Sequence, residues 1–101
     1  MQRSKIESYL GFARRAGKLT LGVQAADTVR RGVFLLVADE SVAPNNKKEI
    51  EKLRVRFSCP LIYVSGLEEM TGKANCKLAA VRDEHLAEAI IKSESGKNDN
   101  V

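Results

Sequence analysis

A chain of 101 residues has room for one domain and one core, and with 44% apolar residues it is globular in composition, not disordered. Its net charge of +4 is uneven: through Arg31 seven basic residues stand against two acids, a local +5, and the remainder carries −1. Five aromatics with no Trp argue against a platform that stacks single-stranded bases, and two widely spaced cysteines outside any CxxC or Cys/His pattern argue against a zinc site. The basic first third is what a phosphate backbone would select, although the same residues also suit solvated helix faces. With no signal-like apolar run at Met1 to Leu10 and no membrane-length stretch, the expectation is a cytoplasmic protein whose thiols, Cys59 and Cys76, act as small apolar residues in a reducing compartment.

Ile6, Leu10, Ala13 and Ala16 recur at helical spacing, which predicts a helix over Ser4 to Ala16 with Ser4 and Glu7 as a capping pair and Gly17 as its stop. Leu19 to Leu21 is a short strand. Gly22 opens a second helix that carries Val23, Ala26 and Val29 and runs to Arg31, ended by Gly32. The unbroken apolar run Val33 to Ala38 predicts a central strand buried on both faces, and the acidic pair Asp39 and Glu40 follows it. Pro44 suits the first turn of a third helix, striped by Ile50, Leu53 and Phe57 and closed before Pro60. Leu61 to Val64 is the next strand, Leu67 to Met70 a short helix, and Leu78 to Val81 a further strand. Asp83 caps a last helix with Leu86, Ile90 and Ile91, and the polar run from Ser93 predicts a disordered tail over 93–101. The pattern predicts the α/β class: a three-layer α/β/α sandwich around a mixed sheet of about four strands, in one domain over 1–92.

Two motifs that resemble catalytic or nucleotide sites fail. Gly66 to Lys73 looks like a phosphate-binding loop, but its second glycine comes one residue late and Ala74 replaces the Ser or Thr that would ligate magnesium. His85, the only histidine, lies near Asp83 and Glu84 with no Ser or Cys beside it in sequence. No catalytic residue, cofactor or metal is expected, and the protein is expected not to be an enzyme.

The order of the pieces is more telling. Leu10-Gly11-Phe12-Ala13-Arg14-Arg15-Ala16-Gly17-Lys18-Leu19, the helix-opening Gly22, and the strand running into Ala38-Asp39-Glu40 resemble short bacterial relatives of the archaeal ribosomal protein L-seven-Ae, the kink-turn-binding ribosomal family. Asn46 to Ile50, Gly72-Lys73 and Ala80 to Glu84 fall where that family has comparable residues, so the resemblance spans Ser4 to Ile91. It implies an α/β/α sandwich that binds structured RNA, often a kink-turn, with the start of the second helix in the distorted groove.

Carried over, the resemblance puts Gly22, Val23 and Gln24 against the RNA, Lys18 on the basic approach, Asp39 and Glu40 in the acidic loop, and Lys73, Ala74 and Asn75 in a second loop near the RNA. Arg14, Arg15, Arg30 and Arg31 are candidates for phosphate contact. Val23 and Ala25 are apolar where kink-turn readers carry polar side chains. The expected partner is ribosomal or kink-turn RNA, with the ribosome behind it, no membrane, and the protein as a monomer. An alternative is a protein–protein module, as in stress-regulatory relatives of the same fold. An accessory to an RNA methyltransferase is another, although this length leaves no space for a catalytic part.

Overall fold

The computed structural model describes the backbone of residues 2–99 and the side chains of residues 5–94. Five helices and four strands alternate among these residues: α1 (Gln2–Arg15), β1 (Leu19–Leu21), α2 (Val23–Asp27), β2 (Leu35–Asp39), α3 (Pro44–Phe57), β3 (Leu61–Val64), α4 (Leu67–Thr71), β4 (Leu78–Val81) and α5 (Glu84–Asp99). The sheet has the order β1-β4-β2-β3 and is mixed: β4 pairs antiparallel with both β1 and β2, while β2 and β3 are parallel.

Alternation along the strands sends side chains to two separate cores. Leu35, Val37, Ala79 and Val81 face α1, α4 and α5, where Ile6, Leu10, Leu67 and Ile90 meet them. Leu36, Ala38, Leu78 and Ala80 face α2 and α3, represented by Ala26, Ile50 and Leu53. Helices therefore cover both faces, and every residue of β2 and β4 is buried. This is the three-layer α/β sandwich that the continuous apolar runs predict. Cys76 lies in the first core and Cys59 in the second, both free; burial pushes the Cys59 thiol up, against the pull of nearby Arg54.

Several boundaries differ from expectation, each for a physical reason. Helix α1 begins at Gln2, so Ser4 lies inside it and is not its cap. Helix α2 stops at Asp27, not Arg31: the Thr28 and Val29 amides bond three residues back to Ala25 and Ala26, which tightens the last turn. Arg56 Nη2 then donates to the carbonyls of Asp27, at 2.8 Å, and Val29, at 3.1 Å, satisfying acceptors that a longer helix would have used. Strand β2 starts at Leu35, after an exposed Phe34 whose amide still donates to the Val81 carbonyl at 2.9 Å, and it ends by taking in Asp39. Helix α5 continues to Asp99, past Ser93 where a tail was expected; once nucleated, a helix gains a hydrogen bond per added residue, here even through Gly96 and the weak helix formers Ser93, Ser95, Asn98 and Asp99. Residues 100 and 101 of that expected tail lie outside the described residues. Among the described residues no helix is long and apolar enough to cross a membrane.

Candidate nucleic-acid interface

The register fixes what meets at one end of the sheet. Strand β1 finishes at Leu21, beside Ala79 of β4, and the Gly22 amide donates to the Leu78 carbonyl at 2.8 Å. Gly22 has φ 100° and ψ 148°, a backbone region that side-chain-bearing residues avoid, and there the chain reverses out of the strand into α2. A Cβ at Gly22 would meet nothing within 4 Å, so the glycine serves the turn and not a close contact. Its carbonyl accepts from the Ala26 amide at 3.0 Å and closes the first helical turn. Ala26 is buried below, which leaves Gln24 and Ala25 exposed and Val23 half-buried.

Opposite stands the α4–β4 loop. Gly72 leaves α4 in the left-handed conformation at φ 74°, and Asn75 adopts it again at φ 58°, a region that Asn tolerates better than most residues. The Cys76 amide closes the turn on the Lys73 carbonyl at 3.2 Å. The third wall is α3, which contributes Asn46, Glu49 and Leu53.

Between these walls lies an open cleft of about 580 Å³. Its polar equipment is three side-chain amides, Gln24, Asn46 and Asn75, and two ammonium groups, Lys73 and Lys77; Asp27 and Glu49 add carboxylates, and Leu21, Val23 and Leu53 supply apolar wall. Amides donate and accept together, which is what unpaired base edges require, whereas ammonium groups match phosphates as point charges. The Lys73 side chain makes no hydrogen bond or ion pair among the described residues. Lys77 Nζ donates to Ser41 Oγ at 2.7 Å.

The cleft therefore unites Gly22, Val23, Gln24, Lys73 and Asn75 from the sequence-derived set. Ala74 is exposed at the loop tip and does not line it. Lys18 is exposed at the opposite end of β1, where its carbonyl accepts from the Arg82 amide. Arg30 and Arg31 are exposed in the α2–β2 connection, not on a helix face. Arg15 stacks over Phe12 at 5.0 Å on α1. Arg14 Nη1 donates to the Thr71 carbonyl at the end of α4. Glu40 is exposed beside Asp39.

Asp39 itself is buried, with 8% of its surface exposed, and both its oxygens are used within the fold. Oδ1 accepts from the Leu67 amide at 2.9 Å; Oδ2 accepts from the Ser41 amide at 2.9 Å and from the Ser41 hydroxyl. Burial works against its ionisation, but these hydrogen bonds and the Lys77 charge outweigh it and hold the carboxyl at about 2. Asn46 and Glu49 had no place in the sequence-derived site, although their spacing of three on α3 puts them on one helix face. Which face turns toward the cleft depends on how α3 packs against α2.

No family model and no curated protein matches the chain. A solved structure does. It is that of a protein with unknown function from Bacillus halodurans C, similar with a TM-score of 0.74 at 22% sequence identity over 90% of this chain and 97% of that one. At that identity the likeness is one of fold.

Proposed function

We propose that this protein binds structured RNA without catalysis, through the cleft between the start of α2 and the α4–β4 loop, and that its ligand is ribosomal or kink-turn-like RNA in the cytoplasm. The observation that carries the reading is the meeting of Gly22–Ala25 with Lys73, Asn75 and Lys77 across one concave surface, although the two segments are far apart in sequence. A bent internal loop exposes base edges that a regular A-form helix hides, and amides flanked by cations suit both the edges and the bent backbone. Because α2 has only five residues, the lysines and amides, and not a helix dipole, supply the attraction.

The test is a titration of the monomeric protein against a kink-turn RNA and a control lacking its sheared G·A pairs, at two salt concentrations. Tighter binding to the kink-turn at both salts is the expected result. Equal affinity for both RNAs would leave a phosphate-only binder, and binding to neither would remove the RNA reading. In that last case the apolar wall of Leu21, Val23 and Leu53 favours a protein partner in the same cleft.

A further inference from the structure

Two lysines line the cleft and only one is held. We infer that Arg14, Asp39 and Ser41 are positioning residues, which fix the Gly72–Lys77 loop at both ends and set the Lys77 ammonium in place before a ligand arrives. The inference rests on the RNA-binding reading above and names the residues that preorganise its site.

At the start of the loop, the Arg14 guanidinium reaches from α1 to the Thr71 carbonyl, the last residue of α4. Thr71 is buried; its hydroxyl donates to the Leu67 carbonyl at 2.9 Å and accepts from the Lys73 amide at 3.4 Å. At the far end, the Asp39 amide donates to the Lys77 carbonyl at 3.0 Å. The same residue's carboxylate grips the Ser41 hydroxyl, which in turn accepts from Lys77 Nζ. Its other oxygen holds the Leu67 amide at the start of α4. One buried carboxylate thus ties together the helix before the loop and the lysine after it. Cys76, buried at 1% exposure between the two anchors, leaves the loop little freedom to slide.

A free lysine loses rotamer freedom when it is ordered on a ligand. Lys77 is already tethered through Ser41 in the unliganded protein, whereas the Lys73 side chain has no such partner among the described residues. Preorganisation of this kind strengthens binding without any new contact to the ligand.

The experiment compares Ser41→Ala, Asp39→Asn, Lys77→Met and Gln24→Ala in the full chain. It reads affinity for a kink-turn RNA across a salt series, and in the free protein the nitrogen-detected NMR signal of the Lys77 ammonium. Asp39→Asn removes a negative charge near the ligand, so simple electrostatics would tighten binding; loss of positioning weakens it, and the sign separates the two. Ser41→Ala keeps every charge and, should Asp39→Asn misfold, carries the test alone. The expected result is loss of the ordered ammonium signal in Ser41→Ala, affinity weaker by about three- to tenfold with an unchanged salt slope, and recovery in Ser41→Thr. Lys77→Met should instead lower the slope by about one. Unchanged affinity in Ser41→Ala and Asp39→Asn, with Lys77→Met still weakened, would overturn the positioning role and leave the RNA reading intact. Wild-type affinity in both Lys77→Met and Gln24→Ala would move the RNA off this cleft and overturn the inference, whereas no binding by the wild-type protein would remove the RNA reading itself.

Discussion

At the end of the sheet where β1 and β2 finish, cations stand among side-chain amides in a concave surface; at the opposite end, a guanidinium is spent on the protein's own hydrogen-bond acceptors. There Arg82 donates to Thr20 Oγ1 at 2.9 Å and to the Gly17 carbonyl at 2.7 Å, which buckles the α1–β1 turn to the end of β4. Arg56 likewise closes the end of α2, where it pairs at 3.3 Å with the Asp27 carboxylate at the edge of the cleft. Lys18, Arg30 and Arg31 are exposed in that region, but the amides lie elsewhere. A count of charges along the chain cannot tell a guanidinium that satisfies carbonyls from an ammonium left for a ligand. On the proposed reading the difference is one of role: the cleft end recognises RNA, and the far end fastens the fold.

Acid should expose this asymmetry most strongly. The Asp39 carboxyl is held at about 2, below an ordinary 3.8, so its contribution to stability is complete above about pH 4 and is lost as pH falls toward 2. Allowing for solvent screening, that loss should be about 1–2 kcal/mol, read as a fall in the urea midpoint that Asp39→Asn does not share.

Charge reversal comes next. Lys73→Glu should weaken RNA binding about tenfold at moderate salt, and Arg31→Glu less than about threefold and equally on kink-turn and control RNA. The reverse order would move the recognition surface to the far end. Arg82→Met should cost about 1 kcal/mol of stability by denaturant unfolding, with RNA affinity of the folded protein unchanged. A loss of affinity without a loss of stability would make Arg82 a contact, not a fastener. The smallest effect is that of Gln24→Ala, about two- to threefold and confined to the preference between the two RNAs. An equal loss on both would show Gln24 touching backbone instead of base edges.

What could be read from sequence follows the range of the forces involved. Strands β1, β3 and β4 lie where the apolar runs place them, and Asp83 caps the last helix as expected, accepting from the Leu86 amide at 2.9 Å. These are local signals. Gly22 was legible as the start of α2, but the end of that helix was not, because Arg56 arrives from α3 to close it. By sequence Asp39 is half of an acidic pair in a loop assigned to RNA; its Leu67 partner, on a later helix, shows why it is buried. Arg14 is a candidate phosphate contact by sequence, and α4 brings the Thr71 carbonyl to its guanidinium instead. Each surprise is a polar group whose partner is remote in sequence, and such partners leave no periodicity to read.

The position of β4 has a consequence for biogenesis. It is the latest of the four strands in the chain, yet it lies between β1 and β2 and is the sole sheet partner of β1. A nascent chain exposed only as far as Lys77 can form the β2–β3 pair, while β1 waits unpaired and the turn at Gly22 lacks the Leu78 carbonyl that seats it. The sheet and the cleft are therefore completed by one late insertion. Synthesis of residues 78–81 is the step that closes the sheet and seats the turn at Gly22, and α5, which follows, then covers the first core.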